Sequence, residues 1–64
     1  MMNILKFLVD QGFTVGFAEG RRLIRSKQIK VEGVLIEDTS FSFPTDKSNV
    51  SFSVGRKKFT FNQS

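Results

Sequence analysis

Basic side chains are concentrated in two short parts of this 64-residue sequence. The first run contains Arg21, Arg22, Arg25, Lys27 and Lys30, and no carboxylate lies between its first and last members. The second run is Arg56, Lys57 and Lys58. Side chains of a single positive sign can neutralise the phosphates of a polyanion and release its counterions. A solvated surface normally mixes both signs, so we expect the first run to bind a negatively charged partner.

The residue types that most catalytic and metal sites require are scarce. The sequence contains no histidine and no cysteine, and its six carboxylates show no paired spacing that would suit acid–base catalysis or metal binding. Glycine-rich phosphate loops are also absent from the sequence. We therefore expect a protein that is not an enzyme, with no catalytic residue, no bound metal and no cofactor.

The composition is that of one small basic domain. The net charge is +4, and hydrophobic and charged residues make up 39% and 25% of the chain, which argues against disorder. A single domain is expected over residues 1–64. The apolar N-terminal run is short and contains Lys6, so it does not suit a membrane span. We expect a monomeric cytosolic protein without a membrane partner.

Hydrophobic spacing predicts two helices at the N-terminal end. The first is expected over residues 4–11, with Asn3 as its N-cap and Gly12 in the left-handed position that ends a helix. The apolar side of the second consists of Phe17, Gly20, Leu23 and Ile24. That arrangement leaves the three arginines of the first basic run facing outward. Since alanine has the higher helix propensity, we expect Gly20→Ala to stabilise the protein.

The remaining sequence alternates as strands do. Ile29 and Val31 alternate with polar residues before a tight turn at Gly33, and a second hairpin is expected with its turn at Gly55 and Arg56. These elements predict an α+β fold: two N-terminal helices packed on a small antiparallel sheet. The second basic run falls in the second hairpin. Its lysines are explained equally well by binding and by protection of a sheet edge from aggregation.

In this order the motifs resemble the ribosomal protein S-four-type RNA-binding domain. The resemblance rests on "ILKFLVDQGF", "EGRRLIRSKQIKVEGVLIED" and "VGRKKFTF", and the last is most similar to the C-terminal RNA-binding domain of bacterial tyrosyl-tRNA synthetases. It implies an S-four-like (alpha-L) fold in which the second helix and the next strand present a basic surface to tRNA or rRNA. The residues implied are Arg21, Arg22, Arg25, Lys27 and Lys30. Arg56, Lys57 and Lys58 in the closing hairpin are further candidates for RNA binding.

Several positions depart from the family pattern and leave alternatives open. Gly16 stands in place of the usual N-cap serine, Gly20 in place of a small helical alanine, and Glu32 in place of the turn asparagine. Helical periodicity places Phe17 near the buried stripe, whereas the resemblance places it at an exposed position where it could contact a partner. An alternative function is a protein-interaction module that docks on an acidic protein surface, with Phe17 as an aromatic anchor. Charge alone also does not separate RNA from duplex DNA.

Overall fold

Two short helices lie at the N-terminal end of the chain in the computed structural model, which describes residues 1–62. The first four elements are β1 (Met2–Asn3), α1 (Ile4–Asp10), α2 (Phe17–Arg25) and β2 (Ile29–Val31). The remaining ones are β3 (Val34–Leu35), β4 (Ser42–Phe43), β5 (Val50–Val54) and β6 (Lys57–Phe61). The predicted α+β class is confirmed, and α1 is one residue shorter than expected.

Both predicted caps of α1 are present. The side chain of Asn3 accepts a hydrogen bond from the Leu5 N–H at 2.9 Å, which satisfies one of the free donors of the first turn. At the other end, the N–H groups of Gly12 and Phe13 donate to the carbonyl oxygens of Val9 and Leu8 at 3.0 and 2.9 Å. This pair of bonds, with Gly12 at φ +81°, is a Schellman motif. Local sequence therefore determines where this helix starts and stops.

The two helices approach each other closely at Gly20. This glycine is buried, and a Cβ atom built on it would lie 3.0 Å from Leu5 Cδ2 and 3.7 Å from Leu8 Cδ1. The first distance is shorter than ordinary van der Waals contact, so an added methyl would displace the Leu5 side chain. Whether Gly20→Ala stabilises the protein, as its helix propensity predicts, therefore depends on how easily the Leu5 side chain can shift.

The main sheet has four antiparallel strands in the order β3-β2-β5-β6. The predicted turn between β2 and β3 is confirmed as a two-residue loop, in which Glu32 and Gly33 both have positive φ (+52° and +80°). Positive φ at both positions is typical of a type I′ hairpin turn. The second predicted hairpin is also confirmed, because Val54 pairs with Lys57 around the turn. A separate ribbon of β1 and β4 was not predicted.

Aromatic rings fill the space between α1 and the sheet. The rings of Phe7 and Phe43 stack with centroids 3.8 Å apart, and Phe52 meets both edge-on at 5.3 and 5.6 Å. The other partly buried phenylalanines pack against this cluster: Phe13, Phe41, Phe59 and Phe61. The core therefore lies on one face of the sheet, and the expectation that every phenylalanine other than Phe17 belongs to it is confirmed.

The Phe17 side chain lies outside that core. It remains 49% exposed, so the interpretation that placed it in the buried stripe is wrong. The reason is its position in the first turn of α2, whereas the buried residues of this helix, Gly20 and Ile24, come one and two turns later. Gly16 caps the helix without a side-chain hydrogen bond.

Candidate nucleic-acid interface

The face of the sheet opposite the core carries two lysines on either side of a serine. Lys30 of β2 pairs with Ser53 of β5, and Ser53 in turn pairs with Lys58 of β6. In the adjacent row Val31, Phe52 and Phe59 pair in the same way, and their side chains lie on the core face. Because side chains alternate along a strand, Lys30, Ser53 and Lys58 share the outer face.

Side-chain size shapes this outer face into a groove. The strand β5 contributes only serines to it, whereas each flanking strand contributes a long lysine. The result is an open groove of about 580 Å³. Its lining residues are Lys30, Gly33, Ser51, Phe52, Ser53, Lys58, Phe59 and Thr60. We call it the hydroxyl groove, because three of the side chains that line it carry hydroxyl groups.

A smaller depression of about 250 Å³ adjoins the groove and shares three of its lining residues, Lys30, Ser53 and Lys58. The residues that it adds are Lys27, Gln28, Gly55 and Arg56. Four cations from both basic runs therefore line one depression, and no carboxylate lines it. We call it the four-cation pocket, defined by Lys27, Lys30, Arg56 and Lys58. Such a surface suits an anionic group, and phosphate is one.

One member of the four-cation pocket occupies a strained backbone position. The helix α2 ends in a second Schellman motif, in which the N–H groups of Lys27 and Gln28 donate to the carbonyl oxygens of Ile24 and Leu23, each at 3.1 Å. Lys27 takes the left-handed position of this motif, at φ +59°. Glycine is the usual residue there, since a side chain costs about 1–2 kcal/mol in that conformation. A lysine in this strained conformation is a candidate for a functional role.

The other four predicted cations lie elsewhere. Arg21, Arg22 and Arg25 are exposed on α2, as predicted, and none of them lines the pocket or the groove. Lys57 pairs with Val54, so it belongs to the core-side row of the sheet and points away from Lys58. The structure therefore separates the predicted residues into the four-cation pocket, a helical surface, and one lysine at the sheet margin.

Carboxylates compete little with a ligand for these cations. Within residues 1–62 the ion pair present joins Lys6 and Asp10 on α1 at 3.8 Å, and none of the eight predicted cations takes part in one. Glu32 lies in the turn that follows β2. Its N–H donates to the Ser51 carbonyl at 2.7 Å, which places this residue beside the far end of the hydroxyl groove.

Sequence reasoning missed the hydroxyl-bearing residues of the outer face: Ser51, Ser53 and Thr60. The available signal was their alternation with core residues in "VSFSV" and "FTF". That pattern predicts which residues face outward. It does not predict which strand is central or that lysines flank it, because both depend on strand order.

No protein-family model matches the chain, and no curated protein sequence is significantly similar to it. Among residues 1–62, no cluster of acidic side chains is arranged to hold a metal ion. In the same part of the chain, neither helix has the length and apolar character needed to cross a membrane.

Proposed function

We propose that this protein is a non-catalytic RNA-binding module that grips the phosphates of structured RNA, either tRNA or rRNA. The observation that carries the proposal is the meeting of both basic runs in the four-cation pocket. The exposed arginines of α2 extend the positive surface along the helix. The resemblance to S-four-type domains supports the same class of ligand, and a cytoplasmic location is part of the proposal.

Electrostatics explains why a polyanion is the preferred partner. Four like charges around one depression repel each other, and no carboxylate in its lining offsets that repulsion. A chain of phosphates relieves the repulsion and releases its own condensed counterions, which drives association. A single acidic side chain could relieve only part of the repulsion among the four cations. Nucleic acid therefore matches the charge density of the pocket better than a typical protein surface does.

One observation favours the alternative function, docking on an acidic protein surface. Phe17 is 49% exposed and Val15 is 93% exposed, so an apolar patch lies at the start of α2, one turn before Arg21. Exposed aromatic residues beside arginine are frequent in protein interfaces. This patch is not among the residues that line the four-cation pocket. The two functions therefore use different surfaces and can be tested separately.

The proposal is tested by equilibrium binding of a labelled RNA hairpin to charge-matched variants. Lys30→Ala combined with Lys58→Ala removes two members of the four-cation pocket. The control, Lys6→Ala combined with Lys47→Ala, removes the same charge at exposed positions outside the pocket and the groove. We expect the first variant to bind at least about tenfold more weakly, and the control to bind within about twofold of the unmodified protein. Equal losses in both variants would overturn the proposal.

A second experiment separates the two functions. The tagged protein is recovered from cells with and without nuclease treatment, and both RNA and protein partners are quantified. RNA that is lost on nuclease treatment, together with its proteins, supports the RNA-binding function. A stoichiometric protein partner that survives nuclease and is lost in Phe17→Ala supports the alternative.

A further inference from the structure

The hydroxyl groove carries three hydroxyl side chains at adjacent positions of β5 and β6. Ser51 pairs directly with Thr60, and Ser53 lies two residues along the same strand, between Lys30 and Lys58. The hydroxyl oxygens therefore continue from the four-cation pocket along the sheet. Lys30, Ser53 and Lys58 belong to both depressions, so a strand held in the pocket leads directly into the groove.

The three hydroxyls are available to a ligand. Within residues 1–62, no other protein group forms a hydrogen bond with the side chains of Ser51, Ser53 or Thr60. Each hydroxyl offers one donor and two acceptor lone pairs, and its hydrogen rotates to suit a partner. A row of such groups can match a ligand that both donates and accepts hydrogen bonds at regular intervals.

The groove is poorly suited to stacking of nucleic-acid bases. Two phenylalanines contribute to its lining, but their rings pack in the core: Phe52 meets Phe7 edge-on at 5.3 Å and stacks with Phe59 at 5.6 Å. Single-strand binders of low sequence preference normally present aromatic rings to the bases. Here the lining offers hydroxyls and two lysines instead. The matching part of a nucleic acid is its sugar–phosphate backbone.

We propose that the hydroxyl groove binds ribose 2′-hydroxyl groups and so distinguishes RNA from DNA. The 2′-hydroxyl both donates and accepts hydrogen bonds, and it is the group that lets a protein separate the two nucleic acids at a given site. Lys30 and Lys58 hold the phosphates, and Ser51, Ser53 and Thr60 contact the sugars between them. This inference rests on the proposed RNA-binding function and adds a selectivity that the charges alone do not provide.

The test compares hairpins of one sequence in three chemistries: RNA, DNA, and RNA whose 2′-hydroxyls are replaced by fluorine. The fluorinated hairpin keeps the A-form shape but has lost the hydroxyl donor. We expect the unmodified protein to bind RNA about tenfold more tightly than either of the others, the size of effect that a few net hydrogen bonds produce. This comparison requires no protein variant, so it does not depend on how a substitution affects folding.

Protein variants then show which side chains produce the preference for RNA over DNA. Ser51→Ala, Ser53→Ala and Thr60→Val together should reduce the RNA preference to about twofold and leave the affinity for DNA unchanged. The control, Ser42→Ala with Ser48→Ala, removes hydroxyls at exposed positions outside the groove and should keep the full preference. Melting curves confirm that each variant is folded, and Ser53→Ala alone should already lower the preference about threefold.

Any of the following outcomes would overturn the inference. If RNA and fluorinated RNA bind equally, with DNA weaker, the protein recognises A-form shape and not the hydroxyl. If the RNA preference survives the triple variant, another surface supplies it. If the protein binds RNA and DNA equally, it has no selectivity for RNA, although the proposed RNA-binding function still stands. If the protein shows no salt-dependent binding of RNA, both this inference and the proposed function are wrong.

Discussion

The backbone N–H of Gly55 donates a hydrogen bond to the carbonyl oxygen of Gln28 at 2.8 Å. This bond joins the tip of the β5–β6 hairpin to the connection between α2 and β2. It holds Arg56, from the second basic run, near Lys27, from the first, and both line the four-cation pocket. Two parts of the chain that are distant in sequence thus form one positive surface.

Replacing Lys27 by glycine should separate stability from binding. Glycine adopts the left-handed conformation of this position without strain, so Lys27→Gly should raise the free energy of unfolding by about 1 kcal/mol. It also removes one of the four cations, so RNA affinity should fall several-fold. Chemical denaturation and RNA titration measure the two effects. Lys27→Ala is the matched variant: it should show the same loss of affinity without the gain in stability.

Glu32 is expected to weaken both the turn and the interface. It has φ +52° in the type I′ turn, where asparagine is favoured, and it places a negative charge beside the hydroxyl groove. Glu32→Asn should therefore raise stability by about 0.5–1 kcal/mol and strengthen RNA binding about twofold. Thermal melting and RNA titration test this. Glu37→Gln, which removes a charge outside the turn, should leave stability unchanged; an equal gain there would refute the role of the turn.

The effect of Gly20→Ala depends on the Leu5 side chain. Alanine gains about 1 kcal/mol in helix propensity, but overpacking a filled space typically costs about 1–3 kcal/mol. The new Cβ would lie 3.0 Å from Leu5 Cδ2. We therefore expect no net stabilisation, and a loss of up to about 2 kcal/mol, with RNA affinity of the folded protein unchanged. A melting temperature clearly above that of the unmodified protein would show that Leu5 moves aside freely.

The arginines of α2 should contribute to binding and not to stability. Arg21 and Arg25 are exposed one turn apart and form no ion pair within residues 1–62. Replacing both by alanine should leave the unfolding free energy unchanged or raise it by about 0.3 kcal/mol, because a repulsive pair is lost. RNA affinity should fall in this variant. If the variant unfolds while its folded fraction binds RNA normally, the helical surface has a structural role.

The local features of the fold were predictable because they depend on neighbouring residues. Asn3 and Gly12 define the ends of α1 through bonds to residues at most five positions away. The alternation of Ile29 and Val31 with polar residues likewise identified the buried face of β2. For Phe17 periodicity and the family resemblance gave opposite predictions, and the exposed position that the resemblance implied is the one observed. Periodicity predicts which side of a helix faces inward, but not how far along the helix the neighbouring element extends.

Long-range pairing was not predictable in the same way. The β1–β4 ribbon joins Met2 to Phe43 through strands of two residues each, too short to give a periodic signal. The division of the eight cations also depends on strand order. Lys30 and Lys58 flank Ser53 because β5 lies between their strands, and the sequence alone does not show which strands are neighbours.

The salt dependence of RNA binding tests the role of the four-cation pocket most directly. Between about 50 and 200 mM salt, the logarithm of the association constant should fall against the logarithm of salt concentration with a slope of about −3 to −4. Lys30→Ala with Lys58→Ala should make that slope shallower by about 2, and Lys6→Ala with Lys47→Ala should not change it. Affinity that does not vary with salt, or equal slopes in the two variants, would contradict phosphate binding by this pocket.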